Sequence, residues 1–193
     1  MSERIRALVA LGNPGADHAR DRHNAGFWLA DRLAERWGLV FSPEKKFKGD
    51  LARAKRAGET LWLLKPMTFM NVSGEAIQPL MAFHKIEPAE LLVVHDELDL
   101  PPGVARLKDG GGHGGHNGLR DTHRVIGPGY RRLRIGIGHP GHASGVLSHV
   151  LGTPSADDQA AIEAAIEAGV DAVETIIESG WNRGAQQLNS RKP

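Results

Sequence analysis

Apolar residues fall into two rhythms along the chain. Largely apolar runs at 4–11 (RIRALVAL) and 91–96 (LLVVHD) are too short for helices and read as buried strands. The first ends at Gly12-Asn13-Pro14-Gly15, a turn sequence, and the second ends in acids ahead of Pro101-Pro102-Gly103. Residues 47–55 and 60–65 predict a hairpin turning at Gly58-Glu59, and runs at 104–108 and 131–137 predict two further strands. The other rhythm is helical. Over 24–37, Phe27, Ala30, Leu33, Ala34 and Trp37 form one stripe behind Asn24, the expected N-cap. Further helices are expected from just after Asn71 to about Lys85 and over 117–126. Over 155–180, Ser155 is the expected cap with Asp158 three residues on, and Ile162, Ile166, Val170, Val173 and Ile177 share a face. The polar tail 181–193 is expected to form a short helix or to fray. Strands interleaved with helices imply an α/β fold: a twisted, mixed β-sheet flanked by helices on both faces.

A length of 193 residues suits a single domain spanning 1–193, and 40% hydrophobic with 24% charged residues is the ordinary mix of a globular protein. No apolar run approaches the ~18 residues of a membrane span, and the N-terminus lacks the layout of a signal peptide. The absence of cysteine excludes disulfides, thiol nucleophiles and thiolate metal sites. These features predict a cytoplasmic protein with no membrane partner. The net charge of +1 hides a sorting along the chain. Lys45, Lys46, Lys48, Arg53, Lys55 and Arg56 face only Asp50 within 45–56, and seven Lys and Arg face two acids within 106–134. The segment 155–180 is the reverse, with seven acids and no Lys or Arg. Such sorting suits either a basic face for a polyanion or solvated faces that pair with each other.

The stretch GGGHGGHNG at 110–118 is costly to order, because glycine loses the most backbone freedom. Gly110, Gly112 and Gly115 satisfy a dinucleotide fingerprint, but the strand before them is charged and no Asp or Glu lies between Thr122 and Ala156 to hold a ribose. No G-K-[ST] follows, so it is not a P-loop. His113 with His116 and His139 with His142 have a spacing that metal sites use. The remaining reading is a loop whose backbone lies close to a large ligand, with Asn117 at a helix N-terminus where an anion is favoured. Ligand sites of α/β sheets gather at the carboxyl ends of strands. Asn13 and Asp96 end strands there, while His23, Asn71 and Asn117 fall near helix starts. A histidine oriented by a carboxylate is a general-base pair. With no G-x-S-x-G elbow and no cysteine, water is the expected nucleophile, and neutral amides would stabilise an oxyanion. The implied reaction is hydrolysis of an acyl bond.

The motifs are also familiar as a set. Leu11-Gly12-Asn13-Pro14-Gly15-Ala16-Asp17-His18, RHNAGF (22–27), KPMTFMNVSG (65–74), HDELDLPPG (95–103), GGGHGGHNGL (110–119) and RLRIGIGHP (132–140) occur in the order in which they occur in the bacterial peptidyl-tRNA hydrolase family, which the chain resembles. The resemblance implies hydrolysis of the ester between a peptide and the 3′ ribose of tRNA, a step of translation that recycles tRNA dropped from stalled ribosomes. It implies His23 as catalytic base and Asp96 as its orienting carboxylate. It also implies Asn13, Asn71 and Asn117 as contacts to the peptide and the tRNA 3′ CCA end, Phe69 and Met70 as walls of a peptide channel, and Lys108 and Arg134 as clamps on acceptor-stem phosphates. His18 stands where the family has tyrosine, and an imidazole offers a base or ribose a smaller stacking face. Gly127-Pro128-Gly129-Tyr130 is short for the family, next to the expected clamp. The resemblance implies a monomer without metal or other cofactor, and makes Asn117 the working residue of the glycine stretch, with His113 and His116 structural. Two other classes stand beside this one: a metal-dependent hydrolase using His113, His116, His139 and His142, and an RNA-binding module without catalysis.

Overall fold

The structure is a computed structural model and describes residues 3–193. Strand β1 (Ala7–Ala10) takes the middle of the sheet because both of its faces are apolar. Leu8 and Ala10 enter one core, Ala7 and Val9 the other. It pairs in parallel with β4 (Glu59–Pro66) on one side and β5 (Leu91–Glu97) on the other. The parallel set continues through β7 (Arg131–Gly136). Antiparallel strands flank it: β3 (Gly49–Arg56) and the short β2 (Ser42–Glu44) beyond β4, and β6 (Ala105–Asp109) beyond β7. Among the described residues the order is β2-β3-β4-β1-β5-β7-β6, a mixed sheet as the sequence pattern predicts.

Helices α1 (Ala25–Trp37), α5 (Ala156–Ser179) and α6 (Trp181–Asn189) cover the face that carries Leu8, Leu92, Val94 and Leu133. Helices α2 (Gly74–His84) and α3 (Asn117–Ile126) cover the face of Val9, Leu11, Leu91 and Val93. Arg36 of α1 bonds to Glu167, Asp171 and Glu174 of α5 at 2.6–2.8 Å, and Arg32 also holds Glu167. Three of the seven acids of α5 are thus spent against α1.

Several boundaries differ from expectation for physical reasons. The hairpin turns at Ala57-Gly58, one residue earlier than expected, because both turn positions have positive φ (52° and 75°) and Glu59 already pairs with Arg56. Ser155 caps α5 as expected, its Oγ accepting from the Asp158 N–H at 3.1 Å. Asn24 occupies the N-cap position of α1 but makes no capping bond; its carboxamide turns to Asn13 instead. The tail forms α6, which buries Trp181 and Leu188. Asn189 then bonds both ways with the Leu107 backbone (2.8 and 3.0 Å) and so covers the outer edge of β6. β2 and α4 (Val146–Val150) were not anticipated, since three and five residues are too few to show a period.

Candidate active site

Asp96, near the carboxyl end of β5, is 2% exposed, and both of its carboxylate oxygens accept hydrogen bonds. Oδ2 meets His23 Nδ1 at 2.8 Å and Oδ1 meets His116 Nε2 at 2.7 Å. Burial works to raise the Asp96 carboxyl, yet the two imidazoles beside it hold it well below the usual carboxylate range. His23 lies in a 3-10 turn (Arg22–Asn24) that leads into α1. Burial works to lower its pKa, but the charge and hydrogen bond of Asp96, with help from Asp21, raise it above the ordinary value. His95, the residue before Asp96, donates from Nδ1 to the Asp96 carbonyl oxygen at 2.8 Å. Burial, reinforced by His116, pushes His95 down to about 3, so it is neutral.

The turn after β1 delivers Asn13, and its orientation is fixed from two sides. Its Oδ1 accepts from the Met70 N–H at 2.7 Å. Its backbone N–H donates to Asn24 Oδ1 at 2.8 Å, while Asn24 Nδ2 donates to its carbonyl at 2.9 Å. The Asn13 amide is therefore left with Nδ2, a donor, for a ligand. Met70 is 4% exposed and belongs to the core, so it supports Asn13 through its backbone and is not a channel wall. Phe69 beside it is 63% exposed and free to be one. Asn71 is exposed, in the middle of the 3-10 turn Met70–Val72. Asp121 of α3 accepts from the Gly74 N–H at 2.7 Å, which ties the start of α2 to α3. Gly118 completes this packing: a Cβ there would lie 2.6 Å from Met70 Sδ and 2.9 Å from Leu11 Cδ1.

Gly114 and Gly115 take positive φ (57° and 82°), and the loop turns through them to place His116 as the N-cap of α3. Asn117, the first helical residue, is exposed, and its Oδ1 accepts from Arg120 at 3.1 Å. His23, Asp96, His116 and Asn117 line one cavity of about 280 Å³ with Leu98 and Leu147. A larger groove of about 810 Å³ runs between α1 and α5 and is lined by none of the candidate residues. His18 Nδ1 meets Asp21 Oδ2 at 2.7 Å, in the turn ahead of His23.

The family model described as peptidyl-tRNA hydrolase matches residues 7–193. The chain belongs to the peptidyl-tRNA hydrolase family. It is 52% identical over 189 residues to the peptidyl-tRNA hydrolase of Xanthomonas campestris pv. campestris, covering 97% of this chain and 98% of that one. The enzyme of Haemophilus influenzae is 50% identical over 194 residues, with both chains covered in full. A crystal structure of peptidyl-tRNA hydrolase from Acinetobacter baumannii superposes with a TM-score of 0.96 at 46% identity, covering 100% of this chain and 98% of that one. The activity is accordingly that of a carboxylic ester hydrolase acting on peptidyl-tRNA, and the non-catalytic RNA-binding alternative falls away.

The metal constellation of the alternative reading does not assemble in this member of the family. His113 and His139 each turn Nδ1 onto a backbone N–H of their own loop, those of Gly115 and Gly141. Among the described residues, the donors that do come together are His23, Asp96 and His116. There His116 already uses Nδ1 as an acceptor from the Gly118 and Leu119 N–H groups (3.1 and 3.2 Å) and Nε2 as a donor to Asp96. A metal on Nε2 would force a proton onto Nδ1, against those two N–H groups, so this donor set fits a hydrogen-bonded relay better than an ion. Sequence reasoning gave Asn24 only a capping role and His116 a structural or metal-binding one, and missed their bonds to Asn13 and Asp96. Position alone could have found His116, since it directly precedes the helix that begins at Asn117.

The cations expected to hold phosphate are on the β6–β7 edge. Lys108 is exposed and lies opposite Arg132, while Arg106 lies opposite Arg134. Like charges directly across a ladder are unfavourable unless something neutralises them. Glu97 pairs with Arg134 at 2.9 Å. Arg132 is spent on the carbonyls of Gly111, Gly112 and Pro128, which pins the glycine loop. No helix among the described residues is long and apolar enough to cross a membrane.

Proposed function

We propose that His23 is the general base of the hydrolysis and Asp96 the carboxylate that orients it. The supporting observation is the bond of a fully buried carboxylate to His23 Nδ1. That bond makes Nδ1 the protonated nitrogen and leaves Nε2 as a lone pair able to take a proton from water. Water oxygen then bonds to the ester carbonyl carbon, and the proton held on His23 passes to the departing 3′ oxygen of the ribose as the ester bond breaks. The donors left free at Asn13 Nδ2 and Asn117 Nδ2 suit the substrate carbonyls and the oxyanion, with Asn71 beside them. Phe69 flanks the peptide, and His18 takes the terminal base or ribose of the CCA end. Lys108 and Arg134 hold acceptor-stem phosphates. The reaction needs no metal, and the enzyme works as a monomer in the cytoplasm.

The test is release of an N-acetylated amino acid from tRNA by the parent and by His23→Ala, with and without EDTA. The variant is expected to lose at least ~10²-fold in kcat while still binding tRNA, and EDTA to change nothing. Turnover retained in the alanine variant would refute the base. Activity lost to EDTA and restored by zinc would return the metal reading.

A further inference from the structure

We infer that His116 is a positioning residue of the hydrolytic centre: it holds Asp96 from the side opposite His23 and thereby sets the proton affinity of the base. The inference rests on the reading of His23 as that base. Its foundation is the hydrogen-bond pattern around one imidazole. Two backbone N–H groups at the start of α3 point at His116 Nδ1, at 3.1 and 3.2 Å. An N–H only donates, so Nδ1 carries the lone pair and the proton of the neutral ring is on Nε2. That N–H donates to Asp96 Oδ1 at 2.7 Å. The tautomer is thus dictated by the helix N-terminus and not left to the carboxylate.

The consequence is a fixed sequence of donors. The first N–H groups of α3 donate to His116, His116 donates to Asp96 Oδ1, and His23 donates to Asp96 Oδ2. Asp96 cannot rotate toward either ring without losing the other bond. Part of its charge is also drawn toward His116, which moderates how strongly it holds the proton on His23. Serine, threonine, aspartate and asparagine are the common N-caps. None of them both accepts from the helix and donates a ring's width away, as an imidazole does. His95 packs edge-to-face on His116, with ring centroids 5.2 Å apart, and keeps it in place without adding charge. The titratable groups around the base are Asp96 from β5, His116 from the α3 loop and Asp21 from its own turn, with His95 behind His116.

Three measurements test this together. Nitrogen-15 spectra of the parent should show His116 protonated on Nε2 alone, with Nδ1 as an acceptor. His116→Asn retains a good helix cap but is too short to donate to Asp96. It should keep the parent's melting temperature within a few degrees, lower kcat about tenfold, and move the acidic limb of kcat/KM up by about one pH unit, since a lost bond to a charged group is of that size. In Asp96→Ala, adding His116→Asn should cost nothing further, because the two act through one another. A His116 proton on Nδ1, an unmoved pH profile, or multiplicative losses in the double variant would each overturn the inference. If His116→Asn folds poorly, the tautomer in the parent still decides. A failure of the base reading looks different: His23→Ala would stay active whatever the state of His116.

Discussion

Asn24→Ala should be among the most damaging single changes outside the reacting groups. Asn24 is 2% exposed, and its carboxamide satisfies both the N–H and the carbonyl of Asn13. Truncation leaves two buried backbone groups without partners, at ~1–3 kcal/mol each. Water entering the space vacated by the amide offsets part of this. A net loss of about 2–4 kcal/mol follows, or roughly 5–15 °C in Tm for a domain of this size. Asn24→Asp keeps the bond to the Asn13 N–H but sets oxygen against the Asn13 carbonyl, so it should be similarly harmful. Function should fail in a particular way. Asn13 loses its fixed orientation while the His23–Asp96 bond is untouched, so kcat/KM should fall tenfold or more with no change in its pH midpoint. Circular-dichroism melts and pH-resolved kinetics on N-acetyl-aminoacyl-tRNA measure both. A Tm within 2 °C of the parent, or a shifted pH midpoint, would show that Asn24 does not act through Asn13.

The pH dependence of stability should carry the signature of His95. Its folded pKa is depressed to about 3, so between about 3 and the ordinary value of 6.5 the unfolded chain binds more protons, and stability falls as pH falls through that window. His95→Gln should flatten this slope in urea titrations; an unchanged slope would mean that other groups carry it. Binding of tRNA should depend on salt with a log–log slope of only about two to five. Lys108→Ala or Arg134→Ala should reduce that slope and raise KM more than they lower kcat, and if neither does, the clamp lies elsewhere, with Lys45, Lys46 and Lys48 next in line. Asn13 presents a donor, which suits a peptide carbonyl and repels the free ammonium of ordinary aminoacyl-tRNA. Asn13→Asp should therefore narrow the ratio of kcat/KM for blocked over unblocked substrate; a ratio equal to the parent's would remove Asn13 from that discrimination.

The parts of the molecule legible in the sequence are those governed by local rules. Short, largely apolar runs gave β1 and β5, and the rule that α/β sites form at strand ends brought Asn13, His23 and Asp96 into one proposal. What escaped depends on geometry between distant segments. An asparagine before a helix reads as a cap whether its amide turns to the helix or, as at Asn24, to the backbone eleven residues earlier. The family resemblance implies Met70 as a channel wall, while the structure buries it in the core against the close approach of Gly118. His113 and His116 both accept backbone N–H groups on Nδ1, and what sets His116 apart is the bond from its Nε2 to Asp96, twenty residues away.

The pairing of α5 with α1 changes how a nucleic acid meets this protein at long range. Opposite charges a few ångströms apart cancel within a Debye length, about 8–10 Å in ordinary salt. The acids that Arg32 and Arg36 engage therefore contribute little to the distant field. They also lie on the sheet face opposite α2 and α3, away from the side where Arg132 pins the glycine loop. Each neutralised acid takes basic charge with it, so the pairing leaves the overall charge of +1 unchanged and only redistributes where it is felt. An approaching polyanion is therefore steered by the cations outside this pairing, and on the proposed reading those of the β6–β7 edge lead the approach.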